Sequence, residues 1–202
     1  MFEKSYRVSM QKTYFCLCLS QIDAYRKILS DINELETSPV PEEEAHIAQM
    51  NLAVLEEEKE QAVVAPVISA AMCLEAFSYD YAATHLGDAY TRKHLEKLDV
   101  PSRLVIATKL VTGKDFPTDC AAYGKMRSVI KQRNSLVHFK SKNFDMADMD
   151  KARKYIDELS AEIGKTVNIC TDAVRGIMIE IDKLHGSGRF YEFSIEPTQC
   201  HT

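Results

Sequence analysis

Three residues in the second half of the chain combine side chains that could carry out acid–base chemistry on an anion. Arg133 is followed directly by Asn134, and His138 comes five residues after the arginine. A guanidinium group is permanently charged and can stabilise an anion, whereas an imidazole titrates near neutral pH, at roughly 6.5, and can transfer protons. Asn134 lies one helical turn before His138 and could orient the imidazole or contact the anion. These residue types therefore suggest a site that acts on an anionic substrate.

Arg133 also lies within the apolar face of a helix that we predict for residues 118–140. At ~100° per residue, the apolar side chains of this segment fall within an arc of about 120°, and Arg133 is at its centre. The arc contains Ala122, Met126, Val129, Ile130, Leu136 and Val137. A buried ion loses several kcal/mol of hydration, roughly, unless a partner compensates for it. We therefore expect Arg133 to have a carboxylate partner or to border a cleft.

Glu75 is the candidate partner, because it occupies the equivalent position in the apolar face of an earlier helix. The residues that share its arc are Val64, Val67, Ile68, Ala71, Ser78 and Ala82. We predict a charge-assisted hydrogen bond between Glu75 and Arg133 across a helix–helix contact. The alternative is that one or both side chains extend along the surface into solvent.

The position of His138 poses a geometric problem for a site that uses both charged groups. On an ideal helix, Arg133 and His138 diverge by about 140°. A compact site therefore requires long side chains, a distorted helix end or a second subunit that closes the cleft.

The rest of the chain is typical of an all-α protein, since it has only 7 Gly and 6 Pro and long segments of helical periodicity. The predicted helices span residues 6–35, 42–85, 90–98, 118–140 and 146–184, and a further helix is capped by Asp99 or Ser102 and ended by Gly113. Pro66 should kink or divide the second helix. Gly186 and Gly188 should end the last helix. We expect a helical hairpin extension over residues 1–61, a helical bundle over 62–185 and a tail over 186–202.

Composition predicts one substantial core and no global attraction to nucleic acid. The chain has 202 residues, 46% of them hydrophobic, and a formal net charge of -5. An anionic partner must therefore meet a local basic patch. No acidic residue interrupts the candidate patch between positions 125 and 142, and its members are Lys125, Arg127, Lys131, Arg133, Lys140 and Lys142. The alternative is an ordinary solvated helix face.

The cysteines and the longest apolar run predict a soluble cytoplasmic protein. None of the six cysteines forms a pair at the two-residue spacing of a zinc knuckle, so we expect buried thiols in a reducing compartment and no metal site. The longest apolar run, residues 62–74, is too short to cross a bilayer. We predict no membrane partner and no cofactor.

The segment Arg133-Asn134-x-x-x-His138 resembles the signature of the HEPN superfamily, in which an arginine precedes a polar residue and a histidine follows four to six residues after the arginine. The resemblance covers residues 62–184, where the sequences CLEAF, VTGKDFP and KQRNSLVHFK follow the family's order. It implies a helical bundle that dimerises around a shared cleft. Many members are metal-independent endoribonucleases, often toxins or effectors of defence against phage.

The resemblance implies roles for individual residues. Arg133, Asn134 and His138 would be catalytic, with Glu75 in support. The lysines that would hold the RNA backbone are Lys125, Lys131, Lys140 and Lys142. The partners implied are RNA, a second copy of the chain and a protein inhibitor or antitoxin. Two alternatives remain open: a HEPN-like dimer that binds nucleotide, RNA or protein without cleavage, and a structural bundle whose motif is coincidental.

Overall fold

A computed structural model describes residues 8–145 and 149–186 of the chain as an all-α bundle, which confirms the predicted fold class. The helices are α1 (Gln11–Thr37), α2 (Ala45–Ala62), α3 (Val64–Leu86), α4 (Asp88–His94), α5 (Val100–Thr112), α6 (Ala121–Val137) and α7 (Met149–His185). A short 3₁₀ turn at Glu42–Glu44 precedes α2. These two ranges contain no β-strand. Residues 187–202 of the predicted tail lie outside the described residues.

The long second helix predicted for residues 42–85 is divided, as Pro66 led us to expect. α2 ends at Ala62, Val63 forms a turn, and α3 begins at Val64. Pro66 has no N–H to donate to the carbonyl of Ala62, and its ring would clash with that carbonyl in a continuous helix. The division therefore falls one turn before the proline.

Helix α3 is the central element of the bundle and packs against α1, α5, α6 and α7. Its large side chains Leu74, Phe77 and Tyr81 are each at most 2% exposed. Full burial of such a side chain stabilises the fold by roughly 1.5–3 kcal/mol. The stretch Glu42–Leu86 is long and apolar enough to cross a membrane by length and composition, and 56% of its most apolar window is buried inside the bundle. The core helices of soluble proteins pass the same test.

The first half of α1, which lies in the predicted extension over residues 1–61, contributes side chains to the same core as the bundle. Phe15, Cys18, Ile22 and Tyr25 are buried in the central hydrophobic cluster, whereas α2 contributes no buried residue. The apolar face of α1 covers α3, and Ser69 on α3 donates a 2.7 Å hydrogen bond to Gln21 on α1. Among the described residues, neither α2 nor the part of α1 after Tyr25 contributes a buried side chain to this cluster.

Three of the cysteines are buried, as predicted. They are Cys18, Cys73 and Cys170. Burial raises the pKa of Cys73, so its thiol stays protonated and unreactive. Cys120 is a partly buried free thiol. Cys16 is also partly buried but is disulfide-bonded, which corrects the prediction that the cysteines are free thiols. Cys200 lies outside the described residues.

A buried arginine fixes the connection between α4 and α5. Arg103 is 4% exposed, and its guanidinium donates hydrogen bonds to the carbonyl oxygens of Leu95, Glu96 and Leu98 at 3.0–3.2 Å. Desolvation by burial lowers the pKa of Arg103, although the nearby carboxylates oppose this effect. Because the loop carbonyls are satisfied in this way, the start of α5 is held in a defined place beside α6.

Helices α6 and α7 approach each other closely at Gly176. A Cβ atom at this position would lie 2.8 Å from the Cβ of Ala122, which is closer than two carbon atoms can pack. On the same side of α6, Lys125 forms a 2.6 Å ion pair with Asp172 of α7. These contacts set the position of α6 on the bundle.

The end of α6 differs from the prediction. The helix ends at Val137, whereas we predicted it to continue to residue 140. The segment after α6 contacts the first turns of α7 at Tyr155. The Lys142 ammonium lies 4.0 Å from the centre of the Tyr155 ring, and the centres of the Phe144 and Tyr155 rings are 5.6 Å apart. These contacts with α7 hold the chain away from a helical path. The other predicted helix ends differ by only a few residues.

Candidate functional site at the end of helix α6

Arg133 and Glu75 form the predicted ion pair between α6 and α3. The Nη2 atom of Arg133 donates to Oε2 of Glu75 at 2.7 Å. The Arg133 side chain is 22% exposed and the Glu75 side chain 48% exposed, so the pair lies at the border of the core. The buried Nε of Arg133 has no hydrogen-bond partner among the described residues. One edge of the guanidinium is therefore held by Glu75 while Nε retains an unused donor.

His138 lies just beyond the helix that carries Arg133. It is the C-terminal cap of α6, with φ -104° and ψ 24°, and its side chain is exposed. Its backbone N–H donates to the carbonyl of Asn134 at 3.0 Å. The divergence of about 140° calculated for an ideal helix does not apply, because His138 has left the helical conformation. In the described part of the chain, no hydrogen bond joins the Asn134 amide to the imidazole, so the predicted steering by Asn134 is not seen.

The six basic residues of the predicted patch do not share one surface. Lys125 pairs with Asp172 on α7, Arg133 pairs with Glu75 on α3, and Lys142 covers the Tyr155 ring. Lys140 is exposed in the segment after α6. The sequence places these cations close together, but neighbouring helices divide them. Arg127 and Lys131 are the pair that remains on a common face.

These two cations line a groove between the start of α5 and one face of α6, which sequence reasoning did not identify. The groove encloses about 500 Å³. Its lining residues are Asp99, Pro101, Gly124, Arg127, Ser128, Ile130, Lys131 and Asn134. Arg127, Lys131 and Asn134 follow one another at intervals of four and three residues, so they lie along one face of α6. That spacing was readable from the sequence, but the wall from α5 depends on tertiary packing.

Asp99 supplies the acidic group of this groove. Its carboxylate caps α5 by accepting a 2.7 Å hydrogen bond from the backbone N–H of Ser102. The hydrogen bonds from Ser102 and the positive charges of Arg103 and Arg127 lower the pKa of Asp99. The carboxylate is therefore ionised at neutral pH, and the groove contains two cations for one anion.

A second cavity borders Glu75, the acidic partner of the ion pair. It encloses about 400 Å³, and its polar lining includes Glu75, Tyr79, Glu96 and Arg103. The lining carries the carboxylates of Glu75, Asp80 and Glu96 against the single cation Arg103. This side of the pair is unsuited to a polyanion.

Comparison with known proteins supplies no relative. No family model, no curated protein and no solved structure matches this chain. Any functional assignment therefore depends on the side chains, distances and burial described above.

Proposed function

We propose that this chain is a HEPN-like, metal-independent endoribonuclease whose active site lies at the end of α6. One observation supports this proposal most strongly: α6 ends at Val137, so the exposed His138 leaves the helix directly after the turn that carries Arg133. A guanidinium and an imidazole are then available at one helix terminus. Their residue types match the requirements of phosphodiester cleavage without a metal.

In the proposed reaction, the ribose 2′-oxygen attacks the adjacent phosphorus. A base removes the 2′-hydroxyl proton, the bond between phosphorus and the 5′-oxygen breaks, and an acid returns a proton to that oxygen. His138 performs proton transfer, and in the proposed homodimer the second copy brings another imidazole to the cleft. The products carry a 2′,3′-cyclic phosphate and a 5′-hydroxyl group.

Arg133 stabilises the negative charge that develops on the phosphorane. Preorganised donors are effective because they need no reorientation during the reaction. Glu75 holds the guanidinium by a 2.7 Å hydrogen bond, and the buried Nε makes no competing hydrogen bond among the residues described. Glu75 is therefore a positioning residue that acts through Arg133.

A second candidate function is RNA binding without cleavage. It is favoured by the charge balance, because Glu75 already neutralises Arg133 while Arg127 and Lys131 of the groove form no ion pair within the described ranges. A chain of this kind would hold RNA on α6 and leave it intact. Cleavage by the purified protein distinguishes the two functions.

The test is a cleavage assay with purified protein and several single-stranded RNAs in the presence of EDTA. We expect wild type to cleave and His138→Ala to lose activity by about 10²–10⁴-fold, as general acid–base catalysis predicts. The matched control is His46→Ala, because His46 is an exposed histidine on α2. Arg133→Ala should also lose activity, with thermal melting and native mass measured to exclude unfolding. An intact RNA with every preparation, or equal activity in His138→Ala, would overturn the proposal.

A further inference from the structure

The groove between α5 and α6 contains cations whose charge no neighbouring residue neutralises by direct contact. Within residues 8–145 and 149–186, the side chains of Arg127, Lys131 and Asn134 form no hydrogen bond and no ion pair. By contrast, Lys125 and Arg133 of the same helix each have a carboxylate at 2.6–2.7 Å. Among the described residues, the cations of α6 that lack a carboxylate partner are therefore the two on its groove face.

This face leads to the proposed active site. Arg127 and Lys131 are one helical turn apart, about 6 Å along the axis, which flexible side chains can match to neighbouring phosphates of one strand. Asn134 is the last groove residue, and its backbone carbonyl accepts the hydrogen bond from the N–H of His138. Asn134 therefore connects the groove to the end of α6.

We propose that this groove binds the sugar–phosphate backbone of single-stranded RNA through Arg127 and Lys131 and guides the strand past Asn134 to the end of α6. The identity of the ligand rests on the proposed function, whereas the binding surface rests on the groove itself. Phosphate contacts of this kind position a strand without reading its sequence. Lys125, which is paired with Asp172, is not part of the surface.

Asp99 limits the affinity of the groove. Its carboxylate lines the groove and lies close enough to Arg127 for the two charges to interact. Asp99→Asn keeps a side-chain oxygen that can cap α5, because Asn and Asp are equally good N-caps, but it removes the negative charge. This substitution should tighten RNA binding severalfold. If Asp99 had only a structural role, the same substitution would weaken RNA binding or leave it unchanged.

The experiment measures binding of a short 2′-O-methylated single-stranded RNA by fluorescence anisotropy over a range of salt concentrations. The methyl groups block attack by the 2′-oxygen, so binding is measured independently of cleavage. Arg127→Ala/Lys131→Ala should bind roughly tenfold more weakly and should reduce the slope of log K against log salt by about 1.4, since each contact with a single strand contributes about 0.7. The matched control is Arg26→Ala/Lys27→Ala, which removes one exposed arginine and one exposed lysine from α1 and should bind like wild type.

Several results would overturn the groove proposal: no binding by wild type, equal binding by the groove variant, weaker binding by Asp99→Asn, or tighter binding of duplex RNA than of the single strand. Failure of the groove and failure of the nuclease are distinguishable. If the groove variant binds normally while His138→Ala abolishes cleavage of unmodified RNA, only the groove is wrong. If binding follows the prediction while wild type never cleaves, only the nuclease is wrong.

Discussion

At the scale of single residues, the ion pair between Arg133 and Glu75 explains how a permanent charge is accommodated in an apolar face. The two partners differ in exposure, at 22% for Arg133 and 48% for Glu75. Arg133 is the less exposed of the two, so removal of Glu75 should destabilise the protein more than removal of Arg133. An unpaired charge costs more free energy where it has less access to water. Arg133 therefore depends on Glu75 more than Glu75 depends on Arg133.

We expect a measurable coupling energy between these two residues. Glu75→Gln should reduce the free energy of unfolding by about 1 kcal/mol, since it leaves the guanidinium without its anion. A double-mutant cycle with Arg133→Met, measured by urea unfolding, should give a coupling energy of about 0.5–1.5 kcal/mol. Additive effects within experimental error would show that the pair contributes nothing to stability.

This pair was predictable from sequence because each charge lies in the centre of an apolar arc, and buried charges need partners. The partners of the lysines could not be predicted in the same way. Lys125 and Lys131 are both exposed cations by sequence pattern, yet Lys125 meets Asp172 and Lys131 faces a groove. Which neighbour a surface cation meets depends on helix packing, and sequence spacing along α6 does not contain that information.

At the scale of elements, the position of α6 depends on its close contact with α7. Gly176 of α7 provides the space for Ala122 of α6, and the two helices have no room for a further carbon atom there. Gly124 of α6, by contrast, has nothing within 4 Å of the position of an added Cβ. The same substitution at these two glycines should therefore have opposite effects.

Gly176→Ala should destabilise the bundle by about 1–3 kcal/mol, because overpacking forces the helices apart. Gly124→Ala serves as the control and should stabilise the protein by about 0.5–1 kcal/mol, since alanine restricts the unfolded chain more than glycine does. Both changes are measured by urea unfolding monitored by circular dichroism. Equal effects at the two positions would contradict the proposed close contact.

Most helices were predictable from periodicity and from their capping residues. Asp99 caps α5, and Gly113 ends that helix with φ 72°, as the sequence indicated. The end of α6 was not predictable, because residues 138–140 continue a helix-compatible pattern while contacts of Lys142 and Phe144 with Tyr155 draw the chain towards α7. That unpredicted end is what places His138 outside the helix.

At the scale of the whole molecule, an aromatic cluster joins the ends of α3 and α7. The rings of His85 and His185 are 4.7 Å apart, and Tyr81 lies 5.0 Å from His85. Desolvation and the neighbouring His185 lower the pKa of His85 below its ordinary value of 6.5. Burial raises the pKa of Tyr81 to about 12, so its hydroxyl remains protonated at neutral pH.

This cluster predicts a loss of stability in acid. Below pH 6.5 the unfolded chain protonates His85 more readily than the folded chain does, so the free energy of unfolding should fall as the pH decreases through and below this value. His85→Gln should reduce this pH dependence, and His46→Gln on α2 is the control that should retain it. The measurement is urea unfolding at pH 7.5 and pH 5.5. An unchanged dependence in His85→Gln would contradict the assignment.

The composition and periodicity of the sequence were sufficient to predict an all-α protein with one core. They did not place α1 in that core, because an amphipathic helix buries its face equally well in a separate hairpin or against a bundle. The contact between α1 and α3, including the hydrogen bond from Ser69 to Gln21, is a property of the assembled chain.

The most direct test of the central claim is identification of the RNA ends produced by purified wild-type protein in EDTA, compared with His138→Ala. The proposed mechanism predicts fragments with a 2′,3′-cyclic phosphate and a 5′-hydroxyl group from wild type, and intact RNA from His138→Ala. Mass spectrometry of the products distinguishes these ends from 5′-phosphate ends. Intact RNA with wild type, or the same fragments from both proteins, would contradict the assignment of a ribonuclease site to the end of α6.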